Sequence, residues 1–135
     1  MSARISHLVA FALLLLGACE DLGRPADPVW NKQDCAHCHM LLSDPRYAAQ
    51  ASTAKGARLY FDDVGCLAAM MQRDPASIRH AWVHGTGGWR DAASARYAQG
   101  APTPMGFGFA ADEHGTLGFA AVRQAVGARL SQGEP

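Results

Sequence analysis

A seven-residue segment, 34–40, constrains this chain more than any other feature, because it concentrates metal-binding side chains. It reads Asp-Cys-Ala-His-Cys-His-Met and holds two thiols, two imidazoles and a thioether. All of these groups are soft or borderline metal ligands. We therefore expect a fold that brings this segment to a metal or cofactor site.

The composition excludes several classes of function. The chain has 135 residues, enough for one small domain or two very small ones, and its 12 basic and 12 acidic side chains give a net charge of zero. This balance provides no electrostatic footprint for nucleic acid. The sequence has no evident Ser-His-Asp arrangement and no phosphate-binding glycine loop, so we predict that the protein is not an enzyme.

The N-terminal residues are typical of an export signal. Arg4 precedes a short apolar run at 8–16, which is too short for a membrane span of about 20 residues. The Leu-Gly-Ala-Cys sequence that ends at Cys19 resembles a bacterial lipobox. We predict a signal peptide at 1–18, lipid attachment at Cys19 and an extended tether at 19–32, an arrangement that anchors a protein to a membrane surface. The alternative is ordinary signal cleavage with Cys19 as a free thiol.

The pattern of apolar and turn residues predicts an α+β fold made of two small β-β-α-β units, at 33–88 and 89–135. The expected elements, in chain order, are strands at 47–51 and 57–61, a helix between Asp63 and Asp74, a strand at 78–84, a strand at 106–110 and a helix at 116–130. The second unit is suggested by a short sequence echo between 46–50 and 96–99. An echo of this length also arises by chance.

Two cofactors other than copper fit part of the central motif. The Cys-x-x-Cys-His sequence at 35–39 is the motif for covalent attachment of c-type haem, with His39 as the proximal ligand and Met105 as the distal one. Strand-like segments surround it and do not suit a small helical cytochrome, so a haem electron-transfer lipoprotein is the alternative function. Zinc would need Cys35, Cys38 and two further ligands, such as Cys66 and a histidine.

Copper(I) uses the thioethers as well. If the chain is extended at this point, Cys38 and Met40 point to the same side and converge on one ion. Thioether sulfur is soft and uncharged, and it favours Cu(I) over zinc, calcium or magnesium. Met105 is the natural third candidate, because proline and glycine flank it in the Thr-Pro-Met-Gly sequence at 103–106 and let the backbone come close. The alternative for Met105 is ordinary core packing.

Other polar residues have structural interpretations. Asp62 or Asp63 is expected to cap the helix that follows. Cys66 is expected to be a small buried side chain rather than a ligand. His80 and His84 share one face of a predicted strand, so a second metal pair stays open at that point.

At these residues the chain resembles the NosL-type accessory lipoproteins of nitrous-oxide reductase. The resemblance covers nearly the whole chain after the signal peptide, and its motifs are specific in their order rather than singly. They are Cys35-x-x-Cys38-x-Met40, residues 43–50, Phe61-Asp62-Asp63-Val64-Gly65-Cys66, Trp82-Val83, Trp89, Ala95-x-Tyr97 and Thr103-Pro104-Met105-Gly106. One departure is His39, where the family usually has glycine or arginine. This residue alone creates the apparent haem motif.

The resemblance implies a membrane-anchored Cu(I) chaperone on the periplasmic face of a bacterial membrane, with a fold akin to organomercurial lyase. It implies Cys38, Met40 and Met105 as the copper ligands. Cys35 is then an alternative thiolate or a redox partner for Cys38, and His39 is a further candidate ligand. The implied partner is a copper-acceptor protein, either nitrous-oxide reductase, which carries a copper–sulfide centre, or its maturation and transporter complex.

Overall fold

The computed structural model describes residues 20–133, so the predicted signal peptide and the predicted lipid-attachment residue Cys19 lie outside the described residues. This part of the chain is an α+β fold with two antiparallel sheets and two α-helices, which confirms the predicted fold class. Among residues 20–133, no helix combines the length and the hydrophobicity needed to cross a membrane. The elements are β1 (Ala49–Thr53), β2 (Arg58–Phe61), α1 (Val64–Arg73), β3 (Ile78–Gly85), β4 (Gly88–Asp91), β5 (Tyr97–Gln99), β6 (Phe109–Ala111) and α2 (Phe119–Ser131).

The larger sheet has the strand order β2-β1-β3-β4, with all neighbours antiparallel. The central strand β1 pairs Ala49 with Phe61 on one side and with Val83 on the other. These three side chains are buried in the hydrophobic core. Because successive side chains of a strand point to opposite faces, Gln50 lies on the other face of the sheet.

Local capping interactions determine where the first elements begin. The Asp44 carboxylate accepts the Arg46 N–H at 3.0 Å and starts a 3-10 turn at Pro45–Tyr47. Strand β1 therefore begins two residues later than predicted. The helix α1 begins as predicted, because Asp63 accepts the Gly65 N–H at 2.7 Å and acts as its N-cap.

The second half of the chain has fewer secondary-structure elements than the predicted β-β-α-β unit. Thr86 and Gly87 form a two-residue hairpin turn, so the glycine-rich stretch that was expected to end a strand instead joins β3 to β4. The predicted boundary between residues 88 and 89 therefore falls at the start of β4, which belongs to the larger sheet. Among the described residues, the second half contains β5, β6 and α2 without a fourth element. Both halves contribute to one hydrophobic core.

Residues 20–30, which we call the strap, lie against the outer face of the larger sheet. The side-chain amide of Gln50 accepts the Ala26 N–H at 3.1 Å and donates to the Ala26 carbonyl at 3.0 Å. At the next residue of the strap, Asp27, the carboxylate accepts the Trp89 indole N–H at 2.7 Å. The predicted extended tether is thus fixed to the sheet, since buried polar side chains of the sheet satisfy its backbone.

Candidate metal centre

The cysteine segment forms a closed loop. An antiparallel bridge joins the residues that flank it, and the Cys35 N–H donates to the Met40 carbonyl at 2.8 Å. Within the loop the His39 N–H donates to the Cys35 carbonyl at 3.0 Å, and His39 has a φ of 64°. The chain therefore turns between Cys35 and His39. The premise that the chain is extended at Cys38 is wrong, and the argument that placed Cys38 and Met40 on one side fails with it.

The loop is held against the segment that leads into α1. The Ala36 N–H donates to the Tyr60 carbonyl near the end of β2 at 2.8 Å. Three residues further on, the chain enters α1, and Cys66 lies in the first turn of that helix. This arrangement brings a third cysteine, distant in sequence, to the two cysteines of the loop.

The Thr-Pro-Met-Gly loop is tied to the same helix terminus. The carboxylate of Asp63, which caps α1, also accepts the Met105 N–H at 3.0 Å. Gly65 allows the two segments to approach closely, because a Cβ at this position would lie 2.1 Å from Cγ of Phe107. The predicted ligand Met105 is therefore attached through its backbone to the helix that carries Cys66.

The three cysteines Cys35, Cys38 and Cys66 form a cluster in which all Sγ atoms lie within 4.8 Å of one another. All three are free thiols without disulfide partners. Cys35 and Cys66 are fully buried, whereas Cys38 is partly exposed. Among residues 20–133 this is the one group of at least three histidine, cysteine or carboxylate side chains that could hold a metal ion.

The cluster contains one preferred thiolate. Hydrogen bonding from the Cys66 side chain, together with the backbones of Cys38, Asp62 and His37, outweighs burial and lowers the pKa of Cys35 to about 4. The hydrogen bond to Cys35 and burial raise the pKa of Cys66. Burial also raises the pKa of Cys38. Of the three cysteines, Cys35 is therefore the one whose surroundings favour the ionised form.

The other predicted ligands differ in how far they are exposed to solvent. Met40 is 45% exposed, at the outer end of the loop. Met105 is partly buried and packs against the hydrophobic core. His39 is exposed. Of the residues predicted to bind metal, the structure gathers Cys38 and Cys35, and it adds Cys66, which the sequence analysis assigned to the core.

The histidine pair on β3 has other neighbours. His80 stacks on Trp82 with ring centroids 5.7 Å apart, and His84 meets Trp89 edge-on at 5.0 Å. Within the described residues, neither histidine joins a group of three or more ligand atoms. The aromatic contacts account for their positions without a metal.

Two further polar groups near the cluster lack hydrogen-bond partners. Both carboxylate oxygens of Asp62 and the Nδ1 atom of His37 are buried with no partner at hydrogen-bonding geometry. Burial raises the pKa of Asp62, and the charges of Cys35 and Asp63 raise it further, although the nearby Ser43 backbone favours the ionised carboxylate. Of the two aspartates considered as the cap of α1, Asp63 is the one that caps it.

The fold and the site together define a small α+β protein with a three-cysteine cluster that can hold a metal ion. Comparisons with protein-family models, with curated proteins and with solved structures find no match for this chain. A proposal for the function of this chain therefore has to rest on the geometry of the site.

The sequence analysis considered Cys66 as a ligand only in the zinc alternative and otherwise assigned it to the core. One signal pointed to the cluster: beyond Cys19 the chain has three cysteines, an odd number that a disulfide framework leaves unpaired. Cys66 also follows the predicted cap of α1, which places it at the start of that helix. Neither observation gives the spatial distance between Cys66 and the loop, which depends on how α1 packs.

Proposed function

We propose that the protein binds Cu(I) at the cluster of Cys35, Cys38 and Cys66 and delivers it to an acceptor protein. The observation that carries this proposal is the convergence of three reduced thiols within 4.8 Å. Thiolates are the ligands that soft Cu(I) prefers. One sulfur, that of Cys35, already favours the ionised form, so fewer protons have to leave when the metal binds.

The number of ligands favours copper over structural zinc. Structural zinc sites are closed by four ligands in a tetrahedron. In the part of the chain that the structure describes, three histidine, cysteine or carboxylate ligands gather and no fourth joins them. Cu(I) is stable with low coordination numbers, so three thiolates suffice for it. The haem alternative loses support, because the Cys35 sulfur is fully buried and would have to form a thioether bond with a porphyrin.

The unequal exposure of the three thiols supports delivery rather than storage. Cys38 is the partly exposed ligand on a loop, whereas Cys35 and Cys66 are buried. A ligand of the acceptor can approach the ion beside Cys38 and replace it first. The buried pair then releases the ion to the acceptor, so copper moves by ligand exchange without becoming free.

The finer proposal follows the resemblance to the NosL-type lipoproteins. In it, the protein is attached through Cys19 to the periplasmic face of a bacterial membrane and supplies copper for the copper–sulfide centre of nitrous-oxide reductase. The thioethers of Met40 and Met105 remain proposed as auxiliary ligands that assist entry or transfer.

Anaerobic titration tests the site. The reduced full chain, with Cys19→Ser as background, competes for Cu(I) against a coloured chelator, and Zn(II) is titrated in parallel. We expect Cys38→Ala and Cys66→Ala each to weaken Cu(I) binding by more than the roughly 10–100-fold that loss of an outer-shell partner costs. Met40→Leu and Met105→Leu keep the side-chain size and measure the thioethers. Full Cu(I) affinity in Cys66→Ala, or selective binding of zinc, would overturn the proposal.

Delivery is tested in cells. In a bacterium that encodes this protein, deletion of its gene should lower the copper content of nitrous-oxide reductase while the amount of the polypeptide stays unchanged. A Cys38→Ala copy should not restore the copper content. If the reductase is fully loaded in the deletion strain, the protein serves another acceptor.

A further inference from the structure

We propose that Cys35 and Cys38 form a thiol–disulfide exchange couple, in which Cys38 is the entry cysteine, Cys35 is the resolving cysteine and Cys66 remains reduced. This chemistry belongs to the metal-free protein. It does not depend on which metal the cluster binds.

The difference in exposure assigns the entry cysteine. Cys35 and Cys66 are 0% exposed, so a disulfide reagent has no access to their sulfurs. Cys38 is partly exposed, on the outer side of the cluster. A thiolate must reach a disulfide sulfur in order to exchange with it, so Cys38 reacts first.

The local geometry assigns the resolving cysteine. Cys35 and Cys38 are three residues apart in a single turn that the His39-to-Cys35 hydrogen bond closes at 3.0 Å. In such a turn the side chains of residues i and i+3 are neighbours. The Cys38 N–H donates to Cys35 Sγ at 3.5 Å, which holds this sulfur beside the residue that it would attack. Attack therefore needs little movement of the backbone.

The third cysteine is kept out of the exchange by its place in the fold. Cys66 is fixed in the first turn of α1 and acts as a hydrogen-bonding partner of the Cys35 sulfur. Its sulfur is fully buried and belongs to a different element, whereas Cys35 shares a single turn with Cys38, so Cys35 is the cysteine placed to attack a mixed disulfide on Cys38.

The reaction balances as two exchanges with a small-molecule disulfide as the oxidant. The Cys38 thiolate attacks one sulfur of the oxidant, a mixed disulfide forms and the first small thiolate leaves. The Cys35 thiolate then attacks Cys38 Sγ, the mixed disulfide breaks and the second small thiolate leaves. In the two steps together the protein loses two electrons and the oxidant gains them as two small thiolates, which take up the protons that the protein thiols release when they ionise.

The functional consequence is that the disulfide and the metal exclude each other. The Cys35–Cys38 disulfide removes two of the three thiolates and leaves Cys66 alone. Any metal bound by the cluster would then depend on the redox state of its surroundings. This consequence rests on the proposed metal site, whereas the disulfide chemistry does not.

Oxidised glutathione is the probe for the test. The reduced, metal-free full chain in the Cys19→Ser background is mixed with it, quenched at intervals and analysed by intact mass and peptide mapping. We expect a transient adduct with one glutathione on Cys38, followed by a product that lacks two hydrogen atoms, contains the Cys35–Cys38 disulfide and has an alkylatable Cys66. A stable glutathione adduct on Cys38, or a disulfide that includes Cys66, would overturn the proposal.

Three variants sharpen the result. Cys35→Ser should stop at the Cys38 mixed disulfide, and Cys66→Ala should still form the Cys35–Cys38 disulfide. Cys38→Ser should react at least about tenfold more slowly, because the remaining thiols are buried. Equal reaction rates in Cys38→Ser and its parent would contradict the assignment of the entry cysteine. Circular dichroism confirms the folding of each variant, and the peptide map of the parent decides the disulfide even if one variant does not fold.

The two proposals fail independently. If the Cys35–Cys38 disulfide forms but Cu(I) does not bind, the exchange couple stands and the copper site is wrong. If Cu(I) binds and glutathione never leaves Cys38, the copper site stands and the exchange couple is wrong.

Discussion

Asp62 is a carboxylic acid buried without hydrogen-bond partners, so its ionised form is unfavourable in the folded protein. Its side chain is 1% exposed and neither oxygen has a hydrogen-bond partner, while burial raises its pKa above the ordinary value of 3.8. A buried acid with a raised pKa contributes most to stability when it is protonated, below its unfolded-state pKa. This contribution is lost as the pH rises through the folded-state pKa.

The substitution Asp62→Asn should therefore stabilise the reduced, metal-free protein at neutral pH. We expect a gain on the order of 1 kcal/mol at pH 7, because the variant buries no charge. The gap between variant and parent should close as the pH falls through the raised pKa of Asp62 in the folded parent, because the parent then buries no charge either. Urea denaturation of both proteins at several pH values measures the gap, and a gap that does not change with pH would show that charge is not its cause.

His39 is the second residue with a local conflict, because its φ of 64° lies in the left-handed region. This conformation costs a residue with a side chain about 1–2 kcal/mol, part of which glycine loses again to its larger entropy in the unfolded chain. We predict that His39→Gly raises the free energy of unfolding by about 0.5 kcal/mol. Asn31→Gly is the matched control, since Asn31 has a φ of 60° and asparagine tolerates this region well.

Denaturant melts of the two variants decide between strain and side-chain loss. If His39→Gly is no more stabilising than Asn31→Gly, backbone strain at His39 is not significant. Cu(I) titration of the same variant tests His39 as a ligand, because affinity should be unchanged if its imidazole does not bind the metal.

At the scale of elements, the helix α1 connects both halves of the site. It carries Cys66, and its cap Asp63 accepts the Met105 N–H. Gly65 of the same helix packs closely against the Phe107 side chain. The close approach at Gly65 leaves no room for a side chain, since a Cβ would meet the Phe107 ring at 2.1 Å. A methyl group at this position must push the Met105 loop away from the helix.

We predict that Gly65→Ala destabilises the protein by about 1–3 kcal/mol, although alanine is a better helix former than glycine. The matched control is Gly118→Ala before α2, where no atom lies within 4 Å of the new Cβ. This control should stay within about 0.5 kcal/mol of the parent. Thermal melts compare the two variants, and equal effects would show that the contact with Phe107 is not tight in solution.

The same elements show what sequence patterns can predict. The helices α1 and α2 and the strand β3 follow from signals that lie within each segment. Asp63 precedes α1, and Phe119, Val122 and Val126, which recur at helical spacing, are buried in α2. The hairpin at Thr86–Gly87 was predicted only as a stop, because a glycine-rich stretch does not reveal whether the next residues pair with the preceding strand. Pairing of that kind depends on contacts across the fold.

The candidate metal site likewise has a part that the sequence predicts locally and a part that depends on the fold. The loop with Cys35 and Cys38 is a local motif, and its chemistry is legible in the sequence. Cys66 reaches it only because α1 packs beside β2 and the loop. The turn at His39 is also a local feature, but a histidine gives no signal for a left-handed conformation, so the chain was expected to be extended there.

At the scale of the whole molecule, the strap couples the N-terminal segment to the sheet. Gln50 is fully buried, and its amide forms both hydrogen bonds to Ala26 and accepts a third from Arg58 at 2.6 Å. Arg58 also forms an ion pair with Glu20 and donates to the Asp21 carbonyl at 2.9 Å. The strap begins one residue after Cys19, the proposed lipid-attachment residue. If Cys19 is lipidated, the folded domain would be held close to the membrane and not separated from it by a flexible linker.

This docking leads to a prediction for Gln50→Leu, which keeps the bulk of the side chain and removes its amide. The Ala26 N–H and carbonyl then lose their partners, and leaving such groups unpaired costs about 1–3 kcal/mol each when they stay buried. The strap can avoid this cost by leaving the sheet and exposing its backbone to water. We therefore expect faster amide hydrogen exchange at Ala26 and faster proteolysis of residues 20–30, while exchange in α2 stays unchanged.

Gln124→Leu, an exposed position on α2, is the matched control and should leave exchange in the strap unchanged. Hydrogen-exchange mass spectrometry of both variants makes the comparison. Slow exchange of the strap in Gln50→Leu would mean that Arg58 and Trp89 hold it without the amide. Fast exchange together with unchanged Cu(I) affinity would show that docking of the strap is not needed for Cu(I) binding. In that case the strap and the cysteine cluster act independently within one small fold.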